Sequence, residues 1–151
     1  MKLKEAVQAL EANIPHRDAL HTAVSAVTVA WHIDHSLKVI NGITHTLKHS
    51  DVTVFKGNYS VFRMVLFALD YLPRGRAKSP KRVLPPEEII TEALYKQVEQ
   101  ARQSLVELEA IPVKANFRHH IFGVLNKKQS IRMMEVHSKH HLKIIRDILK
   151  A

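Results

Sequence analysis

IRMMEVHSKHHLKIIRDIL, residues 131–149, is the stretch of the chain that decides its fold. Its apolar side chains recur every three or four residues, so at about 100° per residue they fall on one side of a helix. The charged side chains fall on the other side, as in a helix that packs against a core. The apolar members are Ile131, Met134, Ile144, Ile145, Ile148 and Leu149, and the charged members are Arg132, Glu135, Lys139, Lys143 and Arg146.

Two histidines lie on the side of this helix that should face the core. His137 and His141 are four residues apart and stack near the middle of the apolar arc, whereas His140 lies at its edge. A buried imidazole needs partners for its ring nitrogens, because unpaired polar atoms are costly to bury. The rest of the chain must therefore supply groups that bond to these two rings.

Composition predicts one globular domain over residues 1–151. The chain is 46% hydrophobic and long enough to bury a core. No run approaches the roughly 18 apolar residues of a membrane span, and the charged N-terminal segment does not match a secretion signal. Without any cysteine, the chain has neither disulfides nor thiolate ligands. We therefore expect a cytoplasmic protein without a membrane partner, in which nitrogen or oxygen would have to hold any metal.

The positive charge of the chain raises the question of a polyanionic partner. Its 23 Lys and Arg against 14 Asp and Glu give a net charge of +9. Proteins that bind bases interleave aromatic and basic residues or present a basic recognition helix. Neither arrangement stands out in a chain with 6% aromatic residues, so the sequence disfavours nucleic acid and favours solvated basic faces.

Helical periodicity and breakers predict an all-α fold. The predicted helices are 2–13, 25–49, 59–72, 86–109 and 131–149. Ser25 is expected to cap the second helix and Pro86 to begin the fourth. The third helix is apolar nearly all round and should be buried, and the segments 50–58 and 111–126 are predicted connections. Four long helices and a short N-terminal one indicate an antiparallel four-helix bundle with long loops.

The second predicted helix offers a third inward imidazole. His32 lies in its apolar arc, between Val39 and Ile43, whereas His35 projects toward the polar side. Facing helices of a bundle commonly build metal sites from inward side chains. The set His32, His137 and His141 would supply three neutral imidazoles and leave coordination positions open for water or a substrate.

One interpretation competes with a metal site, and one type of metal site is excluded. Histidines on apolar faces are commonly bonded to backbone carbonyls, and the chain would then be a non-catalytic binding or assembly protein. A metalloprotease of the helical zinc type is excluded, because Ser138 follows His137 where that motif requires a glutamate base.

Two segments carry a resemblance to a known family. WHIDHSLKVI around His32, and HHIFGVLNKKQSIRMMEVHSKHHLKIIRDIL at residues 119–149, resemble the first and last signatures of the DinB/YfiT-like metalloprotein superfamily. The similarity is to a branch with a His-containing aromatic-Gly turn before the final HxxxH helix. It covers both ends of the chain, and the middle only by the order of helices.

The resemblance implies both a site and a chemistry. Its members are four-helix bundles with a three-histidine site for a divalent metal, commonly zinc or nickel, and their ligands would fall on His32, His137 and His141. Characterised relatives are thiol-dependent transferases and isomerases, so the resemblance implies a small-molecule substrate and a low-molecular-weight thiol. Relatives are often homodimers, although no surface stripe here defines an interface. The basic residues Arg74, Arg76, Lys78, Lys81 and Arg82 could attract the carboxylates of an anionic thiol, or simply form a solvated loop.

Overall fold

Five helices and a β-hairpin form the described part of the chain in the computed structural model, which covers residues 1–57, 59–70, 72 and 81–151. The helices are α1 (Leu3–Ala12), α2 (Val29–Lys48), α3 (Val61–Ala68), α4 (Thr91–Ala110) and α5 (Lys127–Lys150). Short 3-10 turns cover Ile14–His16 and Lys81–Val83, and the strands are β1 (Asn116–His119) and β2 (Gly123–Asn126). The mostly helical fold expected from the sequence is confirmed.

Apolar side chains from four helices form one core. α2 packs against α4 and α5, and α1 packs against the same two helices. Each of the four helices contributes side chains that are almost fully buried, among them Leu10, Leu37, Leu94, Met134 and Ile145. The removal of this apolar surface from water is the main force that holds the helices together.

The helix starts differ from those predicted. α2 begins after Thr28, whose Oγ1 accepts a hydrogen bond from the Trp31 N–H at 3.4 Å, so Ser25 does not cap it. The predicted start of the fourth helix at Pro86 is also wrong, because α4 begins at Thr91. α5 begins four residues earlier than the apolar pattern indicates, behind a reciprocal capping box between Asn126 and Gln129.

The β-hairpin lies inside the segment predicted to be a connection. β1 and β2 are antiparallel, with Phe117 opposite Leu125 and His119 opposite Gly123. Gly123 has a φ of 71°, a left-handed conformation that glycine adopts without a steric penalty. The hairpin contacts both α2 and α5, so its turn is held beside the helices that carry the inward histidines.

α3 is not the buried helix that its composition predicts. Only Arg63 and Phe67 are buried in this helix, while Val61, Phe62, Met64 and Val65 are each about half or more exposed. Its contacts with the hairpin turn include a hydrogen bond from Arg63 to the Phe122 carbonyl at 3.0 Å and an edge-to-face contact between the Phe67 and Phe122 rings. The helix therefore covers one flank of the molecule with a single buried edge.

Parts of three predicted segments lie outside the described residues. These are Asn58 in the predicted connection, Tyr71 in the predicted third helix, and Arg74, Arg76 and Lys78 in the basic segment. Among the described helices, none combines the length and the apolar character that crossing a bilayer requires.

Candidate metal centre

Four histidines from two helices meet where α2 faces α5. His32 and His35 of α2 are 4% and 3% exposed, and His141 of α5 is 7% exposed. His137 lies one turn before His141, and the centroids of these two rings are 4.5 Å apart. The prediction that His141 faces the interior is confirmed, His137 is partly buried beside it, and the region holds more imidazoles than the sequence pattern predicts.

Three of these rings form a group that could hold a metal ion. His35, His137 and His141 each offer one nitrogen, and these three atoms lie within 4.8 Å of one another. We call these residues the three-histidine group. The predicted ligand set shares His137 and His141 with this group, but the third member in the structure is His35, with His32 beside it.

The prediction that His35 projects toward the polar side is wrong. α2 is buried on nearly all sides, so that Asp34 and Asn41 of its predicted polar face are also buried. The turn at Lys81–Val83 covers His35, whose Nδ1 lies 2.8 Å from the Val83 carbonyl oxygen. Only a protonated nitrogen can donate to a carbonyl, so Nδ1 carries the proton and the lone pair lies on Nε2. His35 is therefore oriented to offer Nε2 to a ligand.

His32 bonds to His141. Their Nδ1 atoms are 2.9 Å apart, and His32 Nε2 lies 3.0 Å from Ser25 Oγ. If His141 offers Nε2 to a metal, its Nδ1–H donates to His32, and His32 Nε2–H then donates to Ser25. Ser25 Oγ in turn donates to the Val27 carbonyl at 3.0 Å, so the chain of donors is complete. His32 thus occupies the place of the group that orients a metal-bound imidazole.

His137 has a buried nitrogen without a partner. Within the described residues, no hydrogen bond reaches its Nδ1, although this atom is shielded from solvent. An unpaired buried polar atom needs an explanation, and an absent ion or water is a common one. The donor set fits a metal, since three imidazole nitrogens from two facing helices suit zinc, nickel, copper or iron.

Burial favours the neutral form of the rings in the three-histidine group. It lowers the pKa of His137 and of His141 well below 6.5, and the neighbouring histidines lower both values further. Burial also lowers the pKa of His35, against a smaller opposing effect of the Val83 carbonyl. Because a metal binds the deprotonated imidazole, these shifts favour binding at neutral pH.

The three-histidine group opens onto a cleft of about 1480 Å³. The Trp31 ring lies on the cleft side and stacks on His35, with centroids 4.9 Å apart. The hairpin turn brings His119 and His120 to the lining of the same cleft. Sequence reasoning missed the place of His119; the available signal was Gly123, four residues after His119.

Comparison of the chain with protein-family models, with curated proteins and with solved structures yields no match. An assignment of function therefore depends on the geometry of the site and on the resemblance described above.

Proposed function

We propose that this protein is a metal-dependent enzyme of the DinB/YfiT-like type, in which His35, His137 and His141 hold one divalent metal ion, zinc or nickel. The observation that carries the proposal is the convergence of three ring nitrogens within 4.8 Å. The unpartnered Nδ1 of His137 supports it independently. The proposal includes an antiparallel four-helix bundle made by α1, α2, α4 and α5, which the packing of these helices supports.

The residues around the site would orient its ligands. The Val83 carbonyl holds the His35 ring, and His32 holds the His141 ring through the bond to its Nδ1. A divalent ion on three imidazoles supplies a Lewis acid with at least one open position, which can acidify a bound water or thiol. The cleft gives a small molecule access to that position, and its lining combines apolar and polar side chains.

The proposed chemistry is transfer or isomerisation that uses a low-molecular-weight thiol. The resemblance of the final helix and the first histidine segment to the DinB/YfiT-like superfamily supports this step. The chain itself has no cysteine, so the thiol would have to come from outside. A homodimer belongs to the same proposal and is supported only by the resemblance.

The absence of cysteine makes a direct test possible. Untagged protein is loaded with Co²⁺, and 2-mercaptoethanol is then added while the absorption spectrum is recorded. A thiolate-to-cobalt charge-transfer band must come from the added thiol, because no sulfhydryl is present in the chain. We expect this band in the wild type and its loss in His137→Ala.

A matched control separates the site from adventitious binding. His45 and His49 form an exposed pair on the last turn of α2, with ring centroids 4.3 Å apart. His49→Ala, which lies outside the cleft lining, should leave the cobalt spectrum unchanged. If cobalt does not bind, or binds without dependence on His137, the histidines are structural and the chain is a non-catalytic binding or assembly protein.

A further inference from the structure

The cleft beside the three-histidine group carries positive charge. Lys38, Arg82 and Arg118 line it, and no Asp or Glu is among the described residues of its lining. Lys38 is already paired with Asp34, since its Nζ lies 2.6 Å from the Asp34 carboxylate. Arg82 and Arg118 form no ion pair with any described residue, so their charges are available to a ligand in the cleft.

The geometry of the hairpin turn fixes the proton on His119. The backbone N–H groups of Ile121 and Phe122 both donate to His119 Nδ1, at 3.1 and 3.3 Å. An imidazole nitrogen that accepts hydrogen bonds carries no proton, so the neutral ring carries its proton on Nε2. The ring stacks between His120 and Phe122, with centroids 4.5 and 4.7 Å away. His119 is thus a rigid donor whose ring lines the cleft.

His119 stays neutral in ordinary buffers. Burial lowers its pKa to about 4, and the neighbouring charges of His120 and Arg82 lower it in the same direction. In the described part of the chain, Nε2 of His119 has no hydrogen-bond partner and Arg82 has no ion pair, although both side chains line the same cleft.

We propose that Arg82 and the Nε2–H of His119 form a subsite for an oxygen anion, the carboxylate or phosphate end of a ligand in the cleft. A guanidinium and a fixed N–H donor bind such a group through charge-assisted hydrogen bonds. Apolar side chains of Phe62, Leu66 and Phe122 line the same cleft and would contact an apolar body. The subsite deepens the proposed function, since it names the substrate class of the same cleft, but it uses none of the proposed metal ligands.

Short amphiphiles test the subsite directly. Hexanoate, hexyl phosphate and hexanol share an apolar body and differ in the head group, so their dissociation constants isolate the contribution of the anion. The titrations use full-length protein, both zinc-loaded and after chelation, because a carboxylate could otherwise bind the metal. We expect at least one anion to bind roughly tenfold more tightly than hexanol in both states. Whether hexanoate or hexyl phosphate binds more tightly then distinguishes the two head groups.

Two substitutions separate ligand binding from folding. Arg82→Gln removes the charge, and His119→Asn removes the ring donor while its side-chain oxygen can still accept the two backbone N–H groups of the turn. Both should weaken binding of the anion by roughly tenfold and leave hexanol unaffected. Arg146→Gln, at an exposed arginine of α5 outside the cleft lining, is the matched control and should bind as the wild type does.

The proposal is overturned if hexanol binds as tightly as both anions, or if Arg82→Gln and His119→Asn bind the anions like the wild type. Should His119→Ala lower the melting temperature while His119→Asn retains both stability and anion binding, His119 only caps the turn. Zinc titration of each variant distinguishes this failure from that of the metal site, since His119→Asn should retain zinc and His137→Ala should lose it.

Discussion

His141 and His32 are joined by a hydrogen bond between their Nδ1 atoms, which are 2.9 Å apart although 109 residues separate them in the chain. Such a bond contains one proton, so one ring donates and the other accepts. If His141 is a metal ligand through Nε2, it is the donor and His32 the acceptor. The bond therefore makes His32 the residue that orients His141. His35 is instead a proposed ligand, and its own Nδ1 is bonded to the Val83 carbonyl.

Substitution of His35 and of His32 should have unequal effects on metal affinity. We expect His35→Ala to abolish tight zinc binding, because it removes a ligand. His32→Ala should weaken zinc binding by about 10- to 100-fold, because it removes only the group that orients His141. Competition titrations with a chelator measure both affinities. If His32→Ala weakened zinc binding more than His35→Ala did, the ligands would be His32, His137 and His141, as predicted from the sequence.

The stability of the metal-free protein should fall as the pH is lowered below about 6.5. The pKa values of His35, His119, His137 and His141 are all lowered by burial, so between pH 6.5 and these values the unfolded chain binds more protons than the folded one. This contribution to stability is fully present above pH 6.5 and is lost as the pH falls.

Urea denaturation at pH 7.5, 6 and 5 measures this dependence. His137→Gln should have a shallower dependence, because it removes one of the four rings whose pKa is lowered. A free energy of unfolding that is equal at the three pH values would contradict the burial of these imidazoles.

Two phenylalanines of α3 provide a matched test of its partial burial. Phe67 is 8% exposed and packs against Phe122, whereas Phe62 on the same helix is 58% exposed. Phe67→Ala should cost about 3 kcal/mol of stability, and Phe62→Ala less than about 1 kcal/mol. Chemical denaturation measures both values, and equal costs would show that α3 does not pack as described.

Alanine substitutions at two glycines should change the stability of the protein in opposite directions. Gly42 lies within α2, where an added Cβ meets nothing within 4 Å, so Gly42→Ala should stabilise the protein by about 0.5 to 1 kcal/mol. Gly123 has a φ of 71°, so Gly123→Ala should destabilise the hairpin by about 1 to 2 kcal/mol. The difference in melting temperature between the two variants gives the comparison. Shifts of the same sign would be inconsistent with the hairpin turn.

The sequence predicts most of the buried face of α5, because its apolar side chains repeat at the helical period. Met134, His141, Ile144, Ile145 and Ile148 are buried as predicted, whereas His137 is only partly buried and Leu149 is 40% exposed. The same method failed for His35, since a helical wheel assumes one buried face. α4 and the turn that contains Val83 pack against other sides of α2, and the sequence of α2 does not indicate these contacts.

The predicted burial of α3 and the missed β-hairpin were errors because both elements are short. α3 has only eight residues and few helices beside it, so apolar composition on all sides did not lead to burial. Each strand of the hairpin has four residues, too few for alternation to stand out. The position of His119 depends on this hairpin, and for that reason the proposed anion subsite could not be predicted from the sequence.

Anomalous X-ray diffraction at the zinc edge, from crystals of the zinc-loaded untagged protein, tests the central claim most directly. The account predicts one strong peak within about 2.0 to 2.1 Å of a ring nitrogen of each of His35, His137 and His141. A peak bound by His32 in place of His35, a peak only at the exposed His45 and His49, or no peak at all would contradict it.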